Sequence, residues 1–197
     1  MKRIMAVFTL LFALSCLAAC SSGAGSPTAE AIATPGAGWL TYTNNGYGFQ
    51  LLYPPGSSTV AGGTVFFTSI DLPFAQGTNL DDKHLDMYVQ AGSPTCQSPI
   101  LEFANTATTQ ANISMNGLNW VNQDKVAAPA IIATDWTSYS TTSGGVCVSL
   151  VFVLRSHNPP SGTGGPPAYN KAAESQVFLQ IVNTFKWLSG GAVTPTP

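Results

Sequence analysis

The stretch Val146-Cys147-Val148-Ser149-Leu150-Val151-Phe152-Val153-Leu154 decides the architecture. Val146, Val148, Leu150, Phe152 and Leu154 make one face wholly apolar, and Cys147, Ser149, Val151 and Val153 make the other nearly so. A strand with one wet side alternates apolar with polar, whereas apolarity on both sides marks a strand covered on both. This segment is therefore the expected central strand of a sheet. Upstream, His84 to Ala91 alternates cleanly, with Leu85, Met87, Val89 and Ala91 on one face and His84, Asp86, Tyr88 and Gln90 on the other, as a half-buried strand does. Downstream the period changes. Asn170 can cap a helix in which Ala173, Val177, Ile181 and Phe185 recur at four, Phe178 and Val182 widen the stripe, and Phe185 to Leu188 can turn into a short final strand. Strands first and one helix last imply an α+β class, an antiparallel β-sheet with the C-terminal helix packed on it.

The remaining segments fit that frame. Trp39 to Thr43 and Tyr47 to Tyr53 read as two β-rich runs around Asn44-Asn45-Gly46, where Asn-Gly would supply the positive φ of a tight hairpin. Pro54-Pro55-Gly56 stops the second run. Val60 to Ile70, centred on Val65-Phe66-Phe67, reads as a third strand, and Ser69 to Asn79 as a loop. Ile113 to Val121 carries a second Asn-Gly hairpin at Asn116-Gly117, and Ile131 to Ser140 is a further strand with Trp136 and Tyr139.

The two ends differ from this body. Lys2 and Arg3 precede an apolar run from Ile4 to Leu14, which is signal-peptide length and shorter than the roughly 20 residues a spanning helix needs. Leu17-Ala18-Ala19-Cys20 resembles the lipobox of bacterial lipoproteins, in which the Cys receives diacylglycerol and becomes the first residue after cleavage. That resemblance implies a signal peptide over 1–19, lipidation of Cys20 and anchorage to the membrane outside the cytoplasm. Two acyl chains hold stably where one is marginal. Residues 20–38, rich in Ser, Gly, Ala, Thr and Pro, read as a flexible tether, 39–188 as a single globular domain, and 189–197 as a disordered tail.

With Cys16 leaving in the signal and Cys20 carrying lipid, Cys96 and Cys147 remain and are expected to form a disulfide. Charged residues make up only 8% of the chain and the formal net charge is −2, with no cluster of Lys and Arg. Nucleic acid is excluded as a partner on those grounds.

No nucleophile elbow, H-E-x-x-H, phosphate-binding loop or dinucleotide fingerprint occurs, and no cofactor is implied. The sharpest chemical cluster is Asp81, Asp82, His84 and Asp86, which could ligate a cation or serve an extracytoplasmic hydrolase. The same residues fit the solvated rim of an exposed strand, and that reading is favoured. His157, beside Arg155, reads as a loop residue rather than a base; Trp39, Tyr42, Trp136 and Tyr139 include the candidate contact aromatics, although a core place is the favoured reading for each.

Tyr42-Thr43-Asn44-Asn45-Gly46-Tyr47-Gly48-Phe49 followed by Tyr53-Pro54 resembles the opening of PsbP-like domains. Gly77-Thr78-Asn79-Leu80, the Cys96 and Cys147 pair, Trp136-Thr137-Ser138-Tyr139 and Val177 to Leu188 resemble a group of uncharacterised bacterial lipoproteins. The likeness implies a PsbP-like α/β sandwich with an accessory rather than a catalytic role. A membrane-tethered binding module for an envelope protein or polymer is the leading expectation.

Overall fold

The computed structural model describes residues 34–62, 67–92, 95–99, 109–125, 131–158 and 164–188. The segments expected to be the signal peptide and the tail, Cys20, and most of the expected tether lie outside them.

Among the described residues, ten strands and one helix follow the chain as β1 (Leu40–Asn44), β2 (Phe49–Tyr53), β3 (Ser58–Ala61), β4 (Thr68–Asp71), β5 (Leu80–Ala91), β6 (Thr109–Met115), β7 (Leu118–Lys125), β8 (Ile132–Ser143), β9 (Val146–His157), α1 (Lys171–Thr184) and β10 (Lys186–Trp187). Seven strands form one sheet in the order β3-β4-β5-β9-β8-β7-β6, with β9 in the middle, and β1-β2-β10 form a second. All pairings are antiparallel and neither sheet closes on itself. The α+β expectation is met, and the central strand is the one its two-sided apolarity marks: β9 is buried from Val146 to Leu154 without interruption.

One face of the large sheet carries α1 and the small sheet. Leu85, Met87, Leu150, Phe152 and Leu154 meet Phe49, Leu51, Phe178, Ile181, Val182 and Phe185 in the main core. Phe152 stacks on Phe178 with ring centroids 4.4 Å apart, and Phe49 on Phe185 at 5.5 Å. Thr184 locks the helix end to β2 by accepting the Leu52 amide at 2.8 Å. On the opposite face Trp136, Val151 and Val153 form a smaller cluster with Tyr88 against it.

Three expectations are corrected. The Val60 to Ile70 segment is two strands, β3 and β4, and takes in the start of the expected loop; Val65 and Phe66 lie outside the described residues, while Phe67 is exposed. In the first hairpin the positive φ falls at Gly48 (67°), since a four-residue connection places the left-handed residue just before β2; the Asn44 side chain accepts the Tyr47 amide at 2.9 Å to shape the turn. The second hairpin turns as expected at Asn116 (φ 53°) and Gly117 (71°). The helix buries Glu174, Phe178, Ile181 and Val182 rather than a stripe through Ala173, which is exposed. Trp136 and Tyr139 are core residues, 3% and 7% exposed, in line with the favoured reading, while Trp39 and Tyr42 are half-buried and pack against the main core.

Candidate functional site

The polar row of β5 is held in place by its neighbours on both sides. His84 lies opposite Asp71 on β4 and Val153 on β9, and Asp86 opposite Ser69 and Val151. A register shift between Leu80 and Asp82 makes Asp81 the extra residue of a β-bulge, exposed and outside the ladder. His84 Nδ1 is 2.9 Å from Asp82 Oδ2, and its Nε2 is 3.6 Å from Asp86 Oδ2. Burial alone would lower the imidazole pKa from 6.5, but hydrogen bonding and charge from Asp86 and Asp82 outweigh it and leave the pKa raised.

The cation site is the weaker of the two readings of these residues. Nδ1 is within hydrogen-bond distance of Asp82, whereas Nε2 is in ion-pair range of Asp86 but beyond a hydrogen bond. Among the described residues no three His, Cys, Asp or Glu side chains converge on a common point, so Asp81, Asp82, His84 and Asp86 do not gather as ligands. His157 is exposed at the end of β9, where its amide donates to the Asn79 carbonyl at 2.9 Å.

A second ionisable pair lies on the other face. Lys83 Nζ is 2.8 Å from Glu174 Oε2, with side chains only 4% and 10% exposed, and it sits 5.4 Å from the Phe178 ring centroid. Glu174 Oε1 also accepts the Ala75 amide at 3.0 Å. Burial lowers the Lys83 pKa, opposed by the hydrogen bond and charge of Glu174, and the balance stays low. The sequence reading passed over this pair, although Lys83 has the inward parity of Leu85 and Met87.

A cleft of about 500 Å³ lies over β6, β7 and β8 beside the disulfide. Asn112, Ser114, Asn119 and Thr142 line it, with Ile113 and Val121 among its apolar residues, and none of its described lining residues is charged. Cys96 and Cys147 are joined by a disulfide, which fixes the 95–99 loop as one wall. Cys147 is in the central strand, though at its hairpin end rather than its middle. Ser149 Oγ donates to the Gln97 carbonyl at 3.2 Å, so its 2.7 Å bond with Ser140 Oγ is donated by Ser140. Ser98 adds its amide to Gln123 Oε1 at 2.9 Å. These bonds hold the wall to the sheet floor while the Asn112, Ser114 and Asn119 side chains stand at exposed positions.

An open antiparallel sheet carrying a C-terminal helix on one face, with a small hairpin sheet beside it, is the PsbP-like fold. The solution structure of cyanobacterial PsbP (CyanoP) from Synechocystis sp. PCC 6803 matches 82% of this chain and 99% of its own with a TM-score of 0.51 and 10% identity. A crystal structure from Bacteroides thetaiotaomicron VPI-5482 matches 77% of this chain with a TM-score of 0.50 and 9% identity; the match spans about half, 49%, of that protein's length. Such identities show a shared fold alone. No protein-family model matches the chain, and no curated protein matches its sequence. Among the described residues no helix is long and apolar enough to cross a membrane.

Proposed function

We propose that the protein is a lipid-anchored extracytoplasmic binding or accessory module, held to the membrane through Cys20 and engaging an envelope protein or polymer. The observation that carries the binding role is the uncharged, mainly apolar cleft with a few amide and hydroxyl side chains, whose wall is fixed by a disulfide. A rigid concave surface with a few placed hydrogen-bonding groups can bind without large ordering costs. The ionisable groups best placed for chemistry are instead committed to one another, His84 to Asp82 and Asp86, and Lys83 to Glu174. The lipobox-like Leu17-Ala18-Ala19-Cys20 supports the anchor, and a disulfide suits an oxidising compartment outside the cytoplasm.

Two measurements test the two parts. Cells fed labelled palmitate should incorporate it into the natural chain and not into Cys20→Ala, which should leave the membrane fraction; unlabelled natural protein would overturn the anchor. Cross-linking in intact cells should capture an adduct that Asn119→Asp weakens by placing a charge in the cleft. An adduct unchanged by that substitution would remove the cleft from the binding role.

A further inference from the structure

Strand β6 ends the seven-stranded sheet, so one of its edges has no described neighbour. Natural sheets protect such edges with charge, proline, a bulge or a very short strand. Thr109-Gln110-Ala111-Asn112-Ile113-Ser114-Met115 uses none of these: it is seven residues long, it has no charged residue and no proline, and its pairing with β7 runs without a register break. The opposite end of the sheet differs, because β3 is only four residues long and Ser58 is tied to Asp71 at 2.9 Å.

We infer that β6 is a self-association edge whose partner is a second copy of this chain, added antiparallel about a two-fold axis through Asn112. The sequence is complementary to itself in that register. Asn112 meets the partner's Asn112, Gln110 meets the partner's Ser114, and Ala111 meets the partner's Ile113. Strand parity keeps each pair on a common face, with the amides and hydroxyl on the cleft side and the apolar pair on the core side. Gln110, Ala111, Asn112 and Ser114 are exposed in the single chain, so pairing displaces water rather than protein. Centring on Asn112 pairs all seven residues of the strand; shifting the axis by one residue loses pairs at an end. The absence of charge means that no like charges meet across the axis, where they would destabilise the pairing. This inference does not depend on the lipid anchor or on what the cleft binds.

The test uses the full chain in density-matched detergent and sedimentation equilibrium across a concentration series. A monomer–dimer equilibrium is expected. Gln110→Lys combined with Ser114→Lys sets ammonium against ammonium at both ends of the register and should raise the dissociation constant at least tenfold. Gln110→Glu combined with Ser114→Lys sets opposite charges together at the same two places and should restore association, weakened again by added salt. Circular dichroism of each variant reports whether the fold is kept, and the charge-complementary variant decides the matter should the double lysine misfold. A natural chain that stays monomeric throughout, or a charge-complementary variant that dimerises as poorly as the double lysine, overturns the proposal.

Discussion

Glu174 shows how much one side chain can hold. It receives Lys83 from the sheet and the Ala75 amide from the loop after β4, within a layer otherwise made of Phe178, Ile181 and Leu85. Removing one partner of a buried pair strands the other charge, at a cost of about 3–5 kcal/mol, whereas replacing both with apolar groups of similar size is near neutral or better. Glu174→Ala should therefore lower the denaturant midpoint sharply, while Lys83→Met with Glu174→Leu should lie near the natural chain; equal losses in both variants would show that the ion pair itself is the stabilising element. The position of Lys83 is legible from the alternation of β5, but its partner is not, because the two residues are 91 positions apart. His84 gives a pH signature of definite sign. Its folded pKa is raised, so the native state holds the proton more tightly than the unfolded chain, whose value is near 6.5. That stabilisation is complete below the unfolded pKa and is lost as pH rises through the folded one. Stability measured upward from pH 6.5 should fall, and His84→Gln should flatten this fall; an unchanged slope in the variant would assign it to other groups.

At the level of elements, period and parity carry most of the information. The two-sided apolar run, the strict alternation of β5 and the Asn116-Gly117 turn are local signals, and local sterics answer to them. The first hairpin departs because Asn45-Gly46-Tyr47-Gly48 holds two glycines and sequence alone does not say which one takes the left-handed conformation. A four-residue loop gives that place to Gly48, at φ 67°, and leaves Gly46 outside the positive range. Gly48→Ala should cost about 1–2 kcal/mol. Gly46→Ala should be close to neutral, since an added Cβ would meet only Asn44 Oδ1 at an ordinary 3.5 Å. Chemical denaturation of the two variants side by side checks the assignment, and the reverse order would place the turn differently. The helix departs for another reason: an apolar count cannot see that Glu174, a charged residue, faces inward once Lys83 is there to receive it. The buried stripe is rotated accordingly, away from Ala173 and through Glu174 and Phe178. The cleft escapes a sequence reading altogether, because Asn112, Ser114, Asn119 and Thr142 are ordinary outward strand residues until a distant loop is laid beside them.

For the molecule as a whole, the cross-link between Cys96 and Cys147 ties a segment without regular structure to the strand at the centre of the large sheet. The two cysteines are 51 residues apart, and between them the chain makes β6, β7 and β8, which are three of the seven strands of that sheet. Closing a loop of that length removes about 4 kcal/mol of freedom from the unfolded chain in the chain-entropy account, a large part of a typical stability of roughly 5–15 kcal/mol. Because the enclosed strands include the floor of the cleft, and the bridge fixes its wall, reduction should act on stability and on binding together. The melting temperature should fall by more than ten degrees with reductant, as about 4 kcal/mol implies for a chain of this size at roughly 2–4 °C per kcal/mol near the upper end of that range. A smaller change would follow if the 95–99 loop were released while the sheet stayed intact. Hydrogen exchange separates these outcomes: global loss would accelerate β9 and β8 alike, whereas local release would accelerate only the amides tied to the loop, such as Ser98. Indistinguishable melting curves with and without reductant would show that the bonds from Ser149 to Gln97 and from Ser98 to Gln123 hold the wall without help from the disulfide.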